Sequence, residues 1–159
     1  MAIPGRLRRS IWVFHLNTGS CNACDIEILD ILTPFHDVER LGVVMVGSPR
    51  HADAILLTGP VTRQSMDKAI RALLAAPEPK IVIAVGSCAC GGGIWYDSWA
   101  TLGGVRGLYE VLRREYGVKP PYTIFVPGCP PRPEAILHAI AYVRGLHSKK
   151  FRKRVYVEK

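Results

Sequence analysis

Apolar residues fall along this chain in two alternating patterns. Short, nearly continuous apolar runs occur at Ile11–Leu16, Gly42–Val46, Ala54–Leu57, Ile81–Val85 and Thr123–Val126. Runs of this kind suit strands covered on both faces. Between them, apolar positions recur at helical spacing. Asp25–Leu32 reads as a short helix stopped by Pro34. Over Ser65–Ala75, Met66, Ile70, Leu73 and Leu74 share one helical face, and Pro77 and Pro79 close the segment. Gly104–Tyr116 turns Val105, Leu108, Val111 and Leu112 inward, with Gly117 as its cap. Pro133–Leu146 opens on Pro133 and Glu134 and turns Ile136, Ile140 and Val143 inward. Strand–helix alternation predicts an α/β fold on a parallel sheet. No internal repeat and no long linker interrupts it.

Composition narrows the class. The 159 residues suffice for one domain with its own core. Hydrophobic residues at 48% and charged residues at 21% exclude a disordered chain. The longest charge-free stretch, Ile81 to Tyr96, contains four glycines and is too short for a membrane span. The apolar run after Arg6, Arg8 and Arg9 is too short for a signal peptide. The formal net charge of +8 sits at the ends: three arginines and no acid in residues 1–10, and a net +5 in residues 147–159. We therefore divide the chain into a basic arm (1–10), one α/β domain (11–146) and a basic tail (147–159). Because the domain is neutral, nucleic acid is not an expected partner. The KKFRKR tail has three open readings: a solvated end, a contact with an anionic membrane surface, or a dock for an acidic partner.

The chemistry lies in the cysteines. Cys21 falls five residues past the first predicted strand, Cys88 three past the fourth and Cys129 three past the fifth. Strand ends of a parallel sheet share the edge where ligand sites form. Cys24 stands three residues after Cys21, so one loop or helical turn can aim both at one point. Four thiolates converging there make a metal site. Structural zinc normally uses two C-x2-C knuckles, and only one is present. An iron–sulfur cube takes one thiolate per iron and accepts scattered ligands. The pattern therefore favours a [4Fe–4S] cluster over zinc. Cys90 reads as an ordinary buried cysteine. The glycines of GSCACGGG let backbone approach a bulky group and offer N–H donors to it. No Gly-Lys-Ser/Thr follows, so this is not a phosphate loop. In PGCPPRPE, prolines stiffen the loop around Cys129.

Four runs in order, TGSCNACDIEILDILTPFHDVERLG, GSPRHADAILLTGPVT, GSCACGGG and PGCPPRPEAIL, carry a resemblance. The chain resembles the small electron-transfer subunit of membrane-bound group 4 [NiFe]-hydrogenases over residues 11–146. The same family includes the [4Fe–4S] subunit of respiratory complex I next to the quinone site, the NADH–ubiquinone oxidoreductase 20 kDa subunit. The resemblance implies a flavodoxin-like fold with helices on both faces of the sheet. It implies one [4Fe–4S] cluster held by Cys21, Cys24, Cys88 and Cys129, the set chosen by the strand ends. Complex I subunits carry adjacent cysteines at the first position. The spacer Asn22–Ala23 places this chain on the hydrogenase-like side, although many hydrogenase small subunits have Gly at the position of Ala23. Related complexes that reduce sulfane sulfur, or act on quinone, share the architecture.

The implied function is an oxidoreductase subunit relaying single electrons between a ferredoxin-like iron–sulfur subunit and a large catalytic subunit. Membrane antiporter-like and anchor subunits complete such complexes, and the expected place is the cytoplasmic face of the membrane. The family also points to Glu27 as a candidate proton-path residue. Asp25 reads as a charge complementing a helix N-terminus. Arg50 and His51 have two readings, an interface or a solvated loop. His15 reads as a satisfied core or edge histidine. Trp95, Tyr96 and Trp99 form either a buried wall or, as the mean hydropathy of +0.14 favours, a partner patch.

Overall fold

The structure is a computed structural model, and it describes residues 10–146 and 156–158. Its strands are β1 (Ile11–Asn17), β2 (Val43–Met45), β3 (Ala54–Thr58), β4 (Ile81–Val85), β5 (Tyr122–Val126) and β6 (Tyr156–Glu158). Its helices are α1 (Ala23–Asp30), α2 (Arg63–Ala75), α3 (Ser87–Gly91), α4 (Val105–Tyr116) and α5 (Pro133–Val143). The sheet order is β2-β1-β3-β4-β5-β6. The first five strands are parallel, and β6 pairs antiparallel with β5. This order is the flavodoxin-like one, whose direction of winding switches between β1 and β3.

Alternate residues of the central strands enter two separate cores, as the strand period requires. Ala54, Leu56, Ile81, Ile83, Ile124 and Val126 pack with Ile28 of α1 and Ile136 and Ile140 of α5. From the other face Ile55, Leu57, Val82, Ala84 and Phe125 meet Ile70 and Leu73 of α2 and Leu108 and Leu112 of α4. Burying each of these large side chains stabilises by roughly 1.5–3 kcal/mol. Both faces are covered, which is why β3 and β4 read as unbroken apolar runs and are buried throughout.

Several predicted elements need adjustment; α2, like α1, begins two residues earlier than expected, at Arg63. Helix α1 begins two residues earlier than expected, because Asn22 takes the left-handed turn (φ 73°) that opens it; Asn tolerates that conformation better than most residues. GSCACGGG is not all loop, since its first half forms α3. Helix α5 ends at Val143, ahead of Gly145 at φ 72°. The tail supplies the edge strand β6. The arm, apart from Ser10, and the KKFRKR run lie outside the described residues. Gly117 caps α4 at φ 64° as expected, its N–H donating to Arg113 O. Among the described residues, no helix is long and apolar enough to cross a membrane.

Candidate metal centre

The loops after β1, β4 and β5 leave one edge of the sheet together, and bonds between them fix their relation. Gly86 N–H donates to Val126 O (2.8 Å), and Ser87 N–H donates to Gly128 O (2.7 Å). Ser87 Oγ adds a bond to Gly128 O at 3.1 Å. The start of α3 is thus stitched to the residue preceding Cys129. On the other side of the site, Thr18 N–H donates to Thr58 O (2.8 Å), tying the loop after β1 to the end of β3.

Four cysteines lie on these segments. Cys21 and Cys129 are exposed, Cys88 is half-buried and Cys24 is buried. Burial, then the charges of Cys21, Cys88, Asp25 and Cys129, push the Cys24 thiol up to about 11. Burial and the charges of Cys129 and Cys21 also raise Cys88, against a weaker lowering by the Ile94 backbone. Each of the four thiols thus lies within electrostatic reach of Cys24 or Cys88. Glycines make room for them. A Cβ at Gly86, where φ is +91°, would collide with Cys24 Sγ, and one at Gly93 would lie 2.9 Å from Cys88 Sγ.

Cys90 stands apart. Residues two apart on a helix point in different directions, so α3 aims Cys88 at the site and Cys90 into the core beside α4. The Cys90 thiol donates to Ala84 O at 3.5 Å, and burial pushes it up to about 11.

The acids also separate. Glu27 is half-buried, and its carboxylate makes no hydrogen bond or ion pair among the described residues. Asp25 does more than face a helix dipole. Its carboxylate is turned to the strands, where it meets His15, Asn17 and Thr58. Burial raises its pKa, but hydrogen bonds from Thr58, Ser20 and His15, with the His15 charge, outweigh that and hold it below the ordinary carboxylate value. Sequence reasoning passed over this group, because its partners lie on other elements. His15 is a satisfied histidine, as expected.

Arg50 and His51 are exposed. They sit beside Trp12, whose ring lies 6.5 Å from that of His51, near the start of β1 and away from the cysteine edge. Tyr96 and Trp99 are not a buried wall, being 74% and 83% exposed. Ile94 beside them is exposed, as are Ile26 and Leu29 on α1. Both groups follow cysteine-bearing segments directly in the chain.

The fold and the site define a flavodoxin-like α/β protein with four thiols at the carboxyl edge of its sheet. The family NADH ubiquinone oxidoreductase, 20 Kd subunit, matches residues 21–143. The chain belongs to that family, and its relatives include subunits of oxidoreductase complexes. It is 53% identical over 132 residues to the probable membrane-bound hydrogenase subunit mbhJ of Pyrococcus furiosus, covering 83% of this chain and 72% of that one. It is 40% identical over 149 residues to formate hydrogenlyase subunit 7 of Escherichia coli, covering 94% of this chain and 54% of that one, so it spans about half of that relative's length. Among solved structures, a chain of the membrane-bound sulfane sulfur reductase, an archaeal respiratory membrane complex, matches with a TM-score of 0.70. That pair is 31% identical over 89% of this chain and 72% of that one.

Proposed function

We propose that this chain is the electron-relay subunit of a membrane-bound, ion-pumping group 4 [NiFe]-hydrogenase-like complex, with one [4Fe–4S] cluster on Cys21, Cys24, Cys88 and Cys129. The observation that carries the reading is the placement of four cysteines on three strand-end segments at one edge of the sheet, with glycine at two positions where a Cβ would crowd the Cys24 or Cys88 sulfur. The donor set fits such a group. Cys24 and Cys88 have raised thiol pKa values, and a bound metal centre would lower them again. Among the described residues, no three His, Cys, Asp or Glu side chains are arranged around a single ion. Zinc needs its donors within about 2.0–2.3 Å of one atom, whereas a cube spreads its thiolates over four irons.

When bound, the cluster supplies reversible one-electron chemistry. The chain's residues do the rest. The thiolates hold it, Gly86 and Gly93 give their sulfurs room, and the Ser87–Gly128 bonds keep two of the loops in register. The exposed Ile94, Tyr96 and Trp99 support a seat for the large catalytic subunit. Electrons would come from a ferredoxin-like subunit, at the cytoplasmic face, with antiporter-like and anchor subunits in the membrane. Glu27, half-buried three residues after Cys24, is the candidate proton-path residue. The 53% identity to a hydrogenase subunit favours this reading. The likeness to the sulfane sulfur reductase chain supports a second, the same relay without nickel.

The test is elemental analysis of the complex, purified anaerobically through a tag on this chain. Iron with nickel is expected. Iron without nickel would move the complex to the second reading, and zinc without iron would sink both. In that preparation Cys129→Ser lowers iron and sulfide per chain and stops electron flow. Full activity in the variant would refute the ligand set.

A further inference from the structure

Asp25 has no part in the function proposed above, yet it is among the most constrained side chains of the site. It directly follows Cys24 and is 7% exposed. Its Oδ1 accepts from Thr58 Oγ1 at 2.6 Å and lies 2.7 Å from His15 Nε2. Its Oδ2 accepts from Asn17 Nδ2 at 2.9 Å. Thr58 and Asn17 both donate to it, as suits an ionised carboxylate, which only accepts, and such charge-assisted bonds are strong ones. Asn17 also grips the other side of the cysteine pair. Its Oδ1 accepts from the N–H groups of Gly19 (2.9 Å) and Ser20 (3.0 Å), just before Cys21.

A crosslink alone would not need a charge. Burying an anion costs several kcal/mol unless it is well paired, and a neutral amide could brace the same loop. The fold instead holds a carboxylate one residue from the most buried of the four thiols. The two residues are neighbours in the first turn of α1. Net charge beside a cluster is one of the levers that set its reduction potential.

We propose that Asp25 is a potential-setting residue: its carboxylate, fixed behind Cys24 by His15, Asn17 and Thr58, opposes electron addition and keeps the cluster's reduction potential low. The inference rests on the cluster assignment above. It is tested on the whole complex, purified anaerobically through a tag on this chain. Iron and sulfide per chain count the cluster, and a redox titration followed by electron paramagnetic resonance gives its midpoint. The signal missing in Cys129→Ser identifies which cluster is read.

Asp25→Asn keeps the shape and removes the charge. At the wild-type midpoint, its reduced-to-oxidised ratio rises tenfold or more, an upward shift of about 59 mV for one electron. Thr58→Val removes a donor and leaves the charge less compensated, so the ratio falls. A purely structural role would loosen the loop in both variants and move the two midpoints together or not at all, and either result overturns the inference. Should Asp25→Asn not retain its cluster, Thr58→Val decides alone: a lower midpoint supports the inference, and an unchanged or higher one overturns it. An unsubstituted complex whose cluster content does not depend on Cys129 would instead overturn the cluster assignment.

Discussion

Cys88 and Cys90 are two residues apart, and the helix between them decides their fates. From sequence alone the two thiols differ only in their distance from the end of β4. The strand-end argument already separated them, and α3 supplies the physical reason, since one turn of helix aims them apart. Cys90→Ala therefore leaves iron and sulfide per chain unchanged, whereas Cys88→Ala lowers both; equal loss in the two variants would refute the assignment. Asp25 shows where residue-level reading stops. Its partners His15 and Thr58 lie 10 and 33 residues away in the chain, so nothing in the local pattern distinguishes a carboxylate facing solvent from one gripped by two strands. Val61 is similar. It takes φ 56° while fully buried, a conformation that β-branched residues seldom adopt and that no local motif signals.

Elements were legible in proportion to their length and regularity. Strands β3 and β4 are buried on both faces, so their apolar runs are unbroken, and helices α2 and α4 display one apolar face each. Helix α3 was hidden because five residues cannot display a helical period and glycines argue against a helix. Strand β6 was hidden because three residues at the end of a basic run carry no strand pattern. The glycines around α3 look alike in sequence and differ in structure. Gly86 joins β4 to α3 at φ +91° with the Cys24 sulfur against it, while Gly91 has no heavy atom within 4 Å of an added Cβ. Gly86→Ala should cost about 1–3 kcal/mol for a backbone conformation that only glycine adopts readily (φ 91°, ψ 157°), and more for the displaced thiol. Gly91→Ala should stay within about 0.5 kcal/mol. Anaerobic denaturant titration, with iron per chain measured alongside, compares the two. Similar losses in both would mean that the run matters for its composition and not for the close approach at Gly86.

At the scale of the molecule, both faces of the sheet are covered, and the cysteine edge is left open, flanked in the chain by apolar side chains. The body between residues 11 and 146 is neutral, so long-range charge gives it little steering toward a partner. Contact area must do that work. The segment after α3 is built for it: Thr101 Oγ1 donates to Trp95 O at 2.9 Å, and Arg63 N–H donates to Ala100 O at 2.9 Å. The backbone is fixed while the rings of Tyr96 and Trp99 stand in solvent. Rigid aromatic side chains on an anchored loop lose little entropy on binding, and such residues dominate interface energies, at about 2 kcal/mol or more each, roughly thirtyfold in Kd. Trp99→Asp with Tyr96→Asp should therefore reduce recovery of the large catalytic subunit with this chain by more than thirtyfold. Leu74→Asp, a partly exposed site on α2, controls for a charge placed on an apolar surface and should leave recovery unchanged. Normal recovery with the aromatic pair replaced would move the large-subunit contact elsewhere, with Ile26 and Leu29 of α1 the next exposed apolar pair to vary. Loss in both the aromatic double variant and Leu74→Asp would trace to damage of the fold, and the thermal midpoint of each isolated complex separates that case from a lost contact.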